Sequence, residues 1–411
     1  MLDTPMNLGM SPRASELHEQ VRDMVDRYVR PAETVYSREI GVGDRWQLTP
    51  VQLDLLGELK ARAREAGLWN LWLTATEDAA LNTVDYAYLA EEMGRSPLAA
   101  EVFNCSAPDT GNMEVLHRFA SAAHKREWLA PLLDGEIRSA YLMTEPDVAC
   151  SDATNIAMSC RADGDHYVLN GEKWWASGAG DPRCQIYIVM VRTGVPQAPR
   201  HQAHSMVLVP AATPGIEILR AMEIYGHDDA PHGHMHLRFT DVRVPRDHLL
   251  LGEGRGFEIA QARLGPGRIH HCMRAIGMAE EALRLLCERA VSREAFGKPL
   301  AQLGANGDII AECRMEIEMA RLLCLKAAWM IDQGDARAAA PWISQIKVVA
   351  PRTALKVLDE AIQMHGGAGV SQDTPLARSW TLMRTLRLAD GPDAVHRRQI
   401  ARQELRAYTK S

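Results

Sequence analysis

Tyr141-Leu142-Met143-Thr144-Glu145-Pro146-Asp147-Val148-Ala149-Cys150-Ser151-Asp152 and, further on, Asn170-Gly171-Glu172-Lys173-Trp174-Trp175-Ala176-Ser177-Gly178 are the two segments on which the reading of the fold turns. Tyr167-Val168-Leu169 and Glu172-Lys173-Trp174-Trp175 flank Asn170-Gly171, so apolar residues lie on each side of a dipeptide suited to a type I′ turn, and a β-hairpin is predicted there. Thr144 and Ser151 bracket a turn rich in Pro, Asp and Ser. Short hydroxyls and backbone N–H groups can converge in such a turn on an anionic or carbonyl-rich ligand. Trp174 and Trp175 are adjacent, so in a regular strand their rings face opposite ways, one towards the core and one towards a surface or a ligand.

Outward from this β segment the pattern changes on both sides. Ser11 and Pro12 predict a helix start, with Leu17, Val21, Met24, Val25, Tyr28 and Val29 at helical spacing and Pro31 as the stop. Thr49-Pro50 repeats the device, with Leu53, Leu56 and Leu59 on one face and Gly67 as the end. Thr83 opens a third helix through Tyr86, Leu89, Glu92 and Met93, closed by Gly94, and a fourth helical stretch falls within residues 112–133. From Arg138 the period becomes two, with buried strands predicted at residues 185–191 and 204–209. After Gly252 helical spacing returns over residues 257–293, interrupted at Gly265-Pro266-Gly267, and then over residues 307–333, 340–365 and 393–408. The expected fold class is therefore α+β and multidomain: an N-terminal α-helical domain (1–137), a middle β-barrel or sheet domain (138–250) and a C-terminal helical bundle of about four helices (251–411).

Composition narrows the function classes. A chain of 411 residues exceeds one hydrophobic core, and a net charge of −7 with 24% charged residues favours neither disorder nor a nucleic-acid surface. No long apolar window or secretory leader stands out, so a cytoplasmic location is expected. The eight cysteines are scattered without a Cys-x-x-Cys pair, and neither a disulfide framework nor a metal site is expected. His232, His234 and His236 alternate onto one strand face as metal ligands could, but no carboxylate or Cys partner adjoins them in sequence, and packed or solvated histidines are expected.

The order Thr-Glu-Pro, Ser-Asp, Asn-Gly and Lys-x-Trp-x-Ser-Gly resembles the flavin-binding middle domain of the acyl-CoA dehydrogenase family. The resemblance covers essentially Pro12 to Tyr408 and looks most like the branch that vertebrates fuse to a kinase-like domain. It implies FAD as cofactor, with Tyr141, Met143 and Thr144 at the flavin ring, Ser151 at the pyrophosphate and at bound CoA, and Trp175, Ala176 and Ser177 along the ring's other side. One extra residue separates Pro146 from Ser151, and Asp147 and Cys150 stand where the family usually has Gly.

Two C-terminal strings extend the resemblance. Arg293-Glu294-Ala295-Phe296-Gly297-Lys298-Pro299-Leu300 is similar to the family's Arg-x-x-Phe-Gly-x-x-Leu, which implies that Arg293 and Phe296 serve the flavin of a neighbouring subunit. The planar guanidinium suits a pyrophosphate because it pairs two oxygens at once. Gln363-Met364-His365-Gly366-Gly367-Ala368-Gly369 is similar to Gln-x-x-Gly-Gly-x-Gly, which implies that Gln363, Gly366 and Gly367 form a second cross-subunit flavin contact. A homo-oligomer follows, a dimer or a dimer of dimers.

Removal of an α proton from an acyl thioester requires a base. Where most of the family has Glu before Gly-Thr, this chain has Leu388-Ala389-Asp390-Gly391-Pro392-Asp393-Ala394, so Asp390 takes the catalytic position, with Gly391 at the substrate and Pro392, Asp393 and Ala394 at the flavin. The family's alternative Glu, on the earlier helix, is replaced by Gly267. Capping of the last helix is the competing role for Asp390, with Asp393 a rival for it. Gly265, Gly267 and Arg268 are expected at the substrate, the glycines widening the site and Arg268 reaching CoA. The function implied is α,β-dehydrogenation of an acyl-CoA to a trans-2-enoyl-CoA, as in β-oxidation, with electrons passed to electron-transfer flavoprotein. A nitroalkane-oxidase-like enzyme with an Asp base and an inactive flavin- or acyl-CoA-binding scaffold are the alternatives.

Overall fold

The structure, a computed structural model, describes residues 5–74, 81–194, 199, 202–406 and 408–409, with the surroundings of residues 264–266 and 336 outside that description. In chain order the helices are α1 (Pro12–Met24), α2 (Arg30–Glu39), α3 (Pro50–Glu65), α4 (Thr83–Gly94), α5 (Ala99–Val102), α6 (Asp109–Phe119), α7 (Ala122–His124) and α8 (Ala130–Leu133). Strands follow: β1 (Arg138–Leu142), β2 (Ser159–Asp163), β3 (His166–Ser177), β4 (Cys184–Arg192), β5 (His204–Pro210), β6 (Ile216–Ala221), β7 (His234–Pro245) and β8 (Leu249–Leu250). Then come α9 (Gly256–Ser292), the short strands β9 (Glu294–Ala295) and β10 (Lys298–Pro299), α10 (Asn306–Asp332), α11 (Ala336–His365), α12 (Leu376–Leu386) and α13 (Asp393–Leu405). Helices, then a sheet, then helices is the predicted order.

The predicted starts are real caps. The Ser11 hydroxyl accepts from the Ala14 N–H, Thr49 and Gln52 exchange side-chain to backbone bonds, and Asn82 forms a reciprocal box with Asp85. Pro31 does not stop the first helix. A π turn over Val25–Val29 passes directly into α2, and a second π turn, Lys125–Leu129, likewise ends two residues before Pro131. The wider turn relieves the clash between a proline ring and the carbonyl four residues back, so proline is carried inside a nearly continuous helix. In α3 the buried face is Gln52, Leu56, Leu59 and Ala63, while Leu53 is 48% exposed, contrary to the expected Leu53–Leu56–Leu59 face.

Two compact units partition the chain, one of residues 1–33, 62–103 and 265–411 and the other of residues 34–61 and 104–264. In the first, the Asp332 carboxylate at the end of α10 accepts from the Thr83 and Val84 N–H groups at 2.8 and 3.0 Å, neutralising the N-terminus of α4. There α4 meets α9 almost backbone to backbone. A Cβ on Gly94 would sit 2.1 Å from the Arg274 carbonyl oxygen and one on Gly277 1.8 Å from that of Glu91, so both positions need glycine. The helix α9 is continuous across Gly265-Pro266-Gly267, where a break was expected. Most of its apolar residues from Ile269 to Ala290 are buried, and such packing can offset the roughly 3 kcal/mol a helical proline costs.

The second unit holds an eight-stranded sheet in the order β6-β7-β3-β2-β4-β5-β8, with β1 added parallel to β4. Its core gathers residues such as Leu142, Leu169, Tyr187, Val189, Val207 and Phe239. The predicted Asn170-Gly171 hairpin is not a turn. Strand β3 runs straight through it, and the hairpin lies earlier, where Asp163 pairs with His166 around Gly164-Asp165, Gly164 having φ +57°. Asn170-Gly171 instead makes a bulge against β7. Gly171 has φ +145°, and the Asn170 side chain both accepts from the Asp241 N–H and donates to the Asp241 carboxylate.

Candidate active site

In the sheet unit the Thr144–Ser151 loop is tied to β3 at two depths. The Trp174 N–H donates to the Thr144 carbonyl at 3.0 Å. Beneath it the fully buried Lys173 ammonium donates to the Met143 carbonyl at 3.0 Å and to Glu145 Oε1 at 2.8 Å. Glu145 also accepts from the Ala157 and Met158 N–H groups, and its own N–H meets Cys150 Sγ, so one residue ties the start of the loop to its far end through the backbone and to the chain beyond through the carboxylate. Burial pushes the Lys173 ammonium below its ordinary range, and the Glu145 charge opposes that shift. This pair escaped the sequence reading, although a Lys inside a predicted strand signals a buried acid partner.

The two tryptophans do not alternate. A second bulge lies between Lys173 and Ala176, where Trp175 has φ +54°. The indoles consequently stand edge to face, 6.4 Å apart at 61°, with Trp175 37% exposed and Trp174 intermediate. Neither fills the core, contrary to the expectation for one of them. Ala176 is buried, and the Ser177 hydroxyl is 2.8 Å from His234 Nδ1. Burial, then the neighbouring His232, hold His234 down to about 4, so its ring is neutral at pH 7. His236 sits 2.8 Å from Glu172, so a carboxylate does adjoin the histidine row, engaging His236 while Ser177 engages His234. Tyr141 carries the Arg263 guanidinium 4.0 Å above its ring.

These residues fit a flavin. Thr144 and Ser151 present hydroxyls with no partner among the described residues, Trp174 Nε1 is buried and unpaired, and the Trp175 face is open, giving polar atoms and a flat apolar surface along one strand and loop.

The helical unit holds the carboxylate. Asp390 has φ +54° and Gly391 φ +99°, a turn between α12 and α13. Three cationic or imidazole groups fix its carbonyls: buried Lys347 donates to Leu386 and Ala389, Arg268 Nε donates to Asp390 O at 3.1 Å, and His396 Nε2 meets the same oxygen at 3.2 Å. As the carbonyl only accepts, that nitrogen of His396 bears the hydrogen. Burial, followed by Arg268 and Lys347, holds His396 down to about 4. The Asp390 carboxylate is 22% exposed and 3.6 Å from His271 Nε2. Asp390 is not a helix cap: α13 is preceded by Pro392 with no side-chain cap, and the rival Asp393 pairs instead with Arg387 at 2.6 Å. Lys347 had no sequence signal because it acts across about 40 residues, whereas His396 lies only six residues after Asp390 and its role shows only once the turn folds back on it.

The remaining expected residues belong to the same unit. Arg293 precedes a hairpin, β9–β10, whose two-residue turn Phe296-Gly297 has φ +52° and +76°, as a type I′ turn requires. Phe296 at its tip is 96% exposed. Gln363, Gly366 and Gly367 are exposed at the end of α11, where Gly366 adopts φ +62°. Pro392 is half-buried and Ala394 exposed; Gly267 has open space beside it, and the surroundings of Gly265 lie outside the described residues.

A three-part domain series of one enzyme class matches the chain throughout: Acyl-CoA dehydrogenase, N-terminal domain, over residues 11–136, the middle domain over 140–242 and the C-terminal domain over 254–405. Acyl-CoA dehydrogenase family member 11 of Gallus gallus is 52% identical over 405 residues, 97% of this chain and 51% of that one. The protein named probable acyl-CoA dehydrogenase FadE2 of Mycobacterium tuberculosis is 52% identical over 97% of both chains. The solved butyryl-CoA dehydrogenase of Megasphaera elsdenii superposes with a TM-score of 0.80 at 25% identity, covering 97% of this chain and all of the other. The chain belongs to the acyl-CoA dehydrogenase family, whose members are flavoprotein oxidoreductases acting on CH–CH groups, with FAD as cofactor. It spans about half the length of several of the curated relatives it matches, the vertebrate family member 11 proteins. Among the described residues no helix is long and apolar enough to cross a membrane.

Proposed function

We propose that the protein dehydrogenates an acyl-CoA thioester between Cα and Cβ to give the trans-2-enoyl-CoA, passing the electrons to electron-transfer flavoprotein. The observation that carries the reading is Asp390. Its carboxylate caps no helix, and its main chain is pinned by Arg268, His396 and, through Ala389, Lys347, which suits a side chain that must meet a proton at a fixed point. FAD, when bound, supplies the acceptor for the β hydride.

Asp390 takes the α proton. Its backbone N–H binds the thioester carbonyl and stabilises the enolate-like charge that develops there. Thr144, Trp175 and Ser177 orient the cofactor, while Ser151, Gly391 and Arg268 line the substrate. Arg293, Phe296, Gln363, Gly366 and Gly367 serve the cofactor of a second copy of the chain, making the active protein at least a homodimer. Exposure of the Phe296 tip in a single chain supports that assignment.

Anaerobic titration of the purified yellow protein with a panel of acyl-CoAs tests the reading. Loss of flavin absorbance with at least one acyl-CoA, restored by electron-transfer flavoprotein and slowly by oxygen, is the expected result. Bleaching by nitroalkanes alone with fast reoxidation by oxygen, or no bleaching by any acyl-CoA, would overturn it.

A further inference from the structure

Away from the residues assigned to flavin and acyl-CoA, the sheet unit places two histidines and an aspartate together. His124 ends α7, while Asp247 and His248 lie in the 3₁₀ turn Arg246–His248 between β7 and β8. One ligand atom from each lies within 4.8 Å of the other two. The imidazoles stand edge to face with centroids 5.0 Å apart at 83°.

The protonation pattern suits coordination. His248 Nδ1 is 3.0 Å from the Leu208 carbonyl, which only accepts, so Nδ1 carries the hydrogen and Nε2 presents its lone pair. A ring nitrogen anchored to a backbone carbonyl is the arrangement that orients metal-ligating histidines. His124 is buried, and its ring has no hydrogen-bond partner among the described residues. Edge-to-face stacking alone accounts for two packed rings, but not for a carboxylate oxygen within 4.8 Å of a nitrogen of each.

We propose that His124, Asp247 and His248 form a site for one divalent transition cation of the zinc type, with water completing the coordination. Two imidazoles and one carboxylate fit a borderline cation, whereas magnesium and calcium take oxygen donors. Binding would cross-link the α7 segment to the β7–β8 connection, joining residues far apart in sequence, which is why no ligand spacing is visible along the chain. This proposal stands independently of the dehydrogenase reading.

The test uses the FAD-loaded full chain, dialysed against a chelator and titrated with zinc chloride by calorimetry, with metal content measured after gel filtration. One tight equivalent per chain is expected. Asp247→Asn, at an exposed position, should weaken zinc binding by at least ~10-fold, and Asp247→Asn with His248→Gln should abolish the tight equivalent while circular dichroism and flavin absorbance stay unchanged. Loss of that equivalent in a His232→Gln, His236→Gln variant would place the zinc elsewhere and overturn the proposal. So would an undiminished equivalent in the Asp247/His248 double variant, or none in the parent protein.

Discussion

The Lys173 ammonium, with no exposed surface, lies 2.8 Å from Glu145 Oε1, and this ion pair joins the Thr144–Ser151 loop to the strand that carries Trp174 and Trp175. Breaking a buried pair by removing one partner leaves an uncompensated charge, typically a loss of ~3–5 kcal/mol. Lys173→Met should therefore lower unfolding stability by that order in urea melts and reduce FAD retained per chain. Adding Glu145→Leu should not rescue it, because the Ala157 and Met158 N–H groups then lose their acceptor. Full FAD content and parental stability in Lys173→Met would remove the pair from the cofactor's support.

Arg293 stands at the root of an exposed hairpin and serves, in the proposed dimer, the cofactor of the other chain. Arg293→Ala should preserve the monomer fold but lower FAD occupancy, since a charge-assisted bidentate contact to phosphate is lost. Phe296→Ala should weaken self-association measured by sedimentation. Unchanged FAD affinity in Arg293→Ala would count against the cross-subunit role.

Local chemistry was legible in the sequence where one residue type has one use. Ser11, Thr49 and Asn82 cap helices because their side chains reach the next turn, and that needs no tertiary information. Asn170-Gly171 was misleading because Gly supports a left-handed turn and a bulge equally well, and only pairing with β7 decides. The same bulge-rich strand turns Trp175 out of its expected alternation. Pro31 and Pro266 read as breaks, since sequence spacing does not reveal that a π turn or the packing of a long helix can accommodate them. Asp390 was singled out from its motif; Lys347, 42 residues before Ala389, leaves no local trace there, and His396, six residues after Asp390, went unread because nothing in the string shows that its ring turns back to the Asp390 carbonyl.

His396 offers a pH signature. Its folded value is about 4, below its ordinary 6.5, so between those values the unfolded chain binds more protons and stability rises with pH. The contribution is present above about pH 6.5 and lost as pH falls towards 4, on the order of 3 kcal/mol in full. Glu33 and Glu114, pushed up to about 7 chiefly by burial, work in the opposite sense over the same window. The difference between parent and His396→Asn isolates the histidine. That difference in unfolding free energy should shift against the parent between pH 7.5 and 4.5, and a flat difference would contradict the assigned protonation state.

Asp390→Asn separates the base from its scaffold. The main-chain carbonyl that Arg268 and His396 hold is untouched, the side chain caps no helix, and Asn keeps its size and a hydrogen-bonding oxygen towards His271. FAD content, stability and binding of a non-reactive acyl-CoA analogue should therefore stay near parental, while flavin reduction by substrate falls by at least ~10²-fold, the lower end of a general base's usual worth. Asp390→Glu restores the length usual in the family but moves the carboxylate by about one bond, and misplacement by ~1 Å can cost on the order of 10²-fold, so Glu should be impaired yet faster than Asn. Parental flavin reduction in Asp390→Asn would move the base to His271, 3.6 Å away, or to Asp393, and His271→Gln and Asp393→Asn would then decide between them.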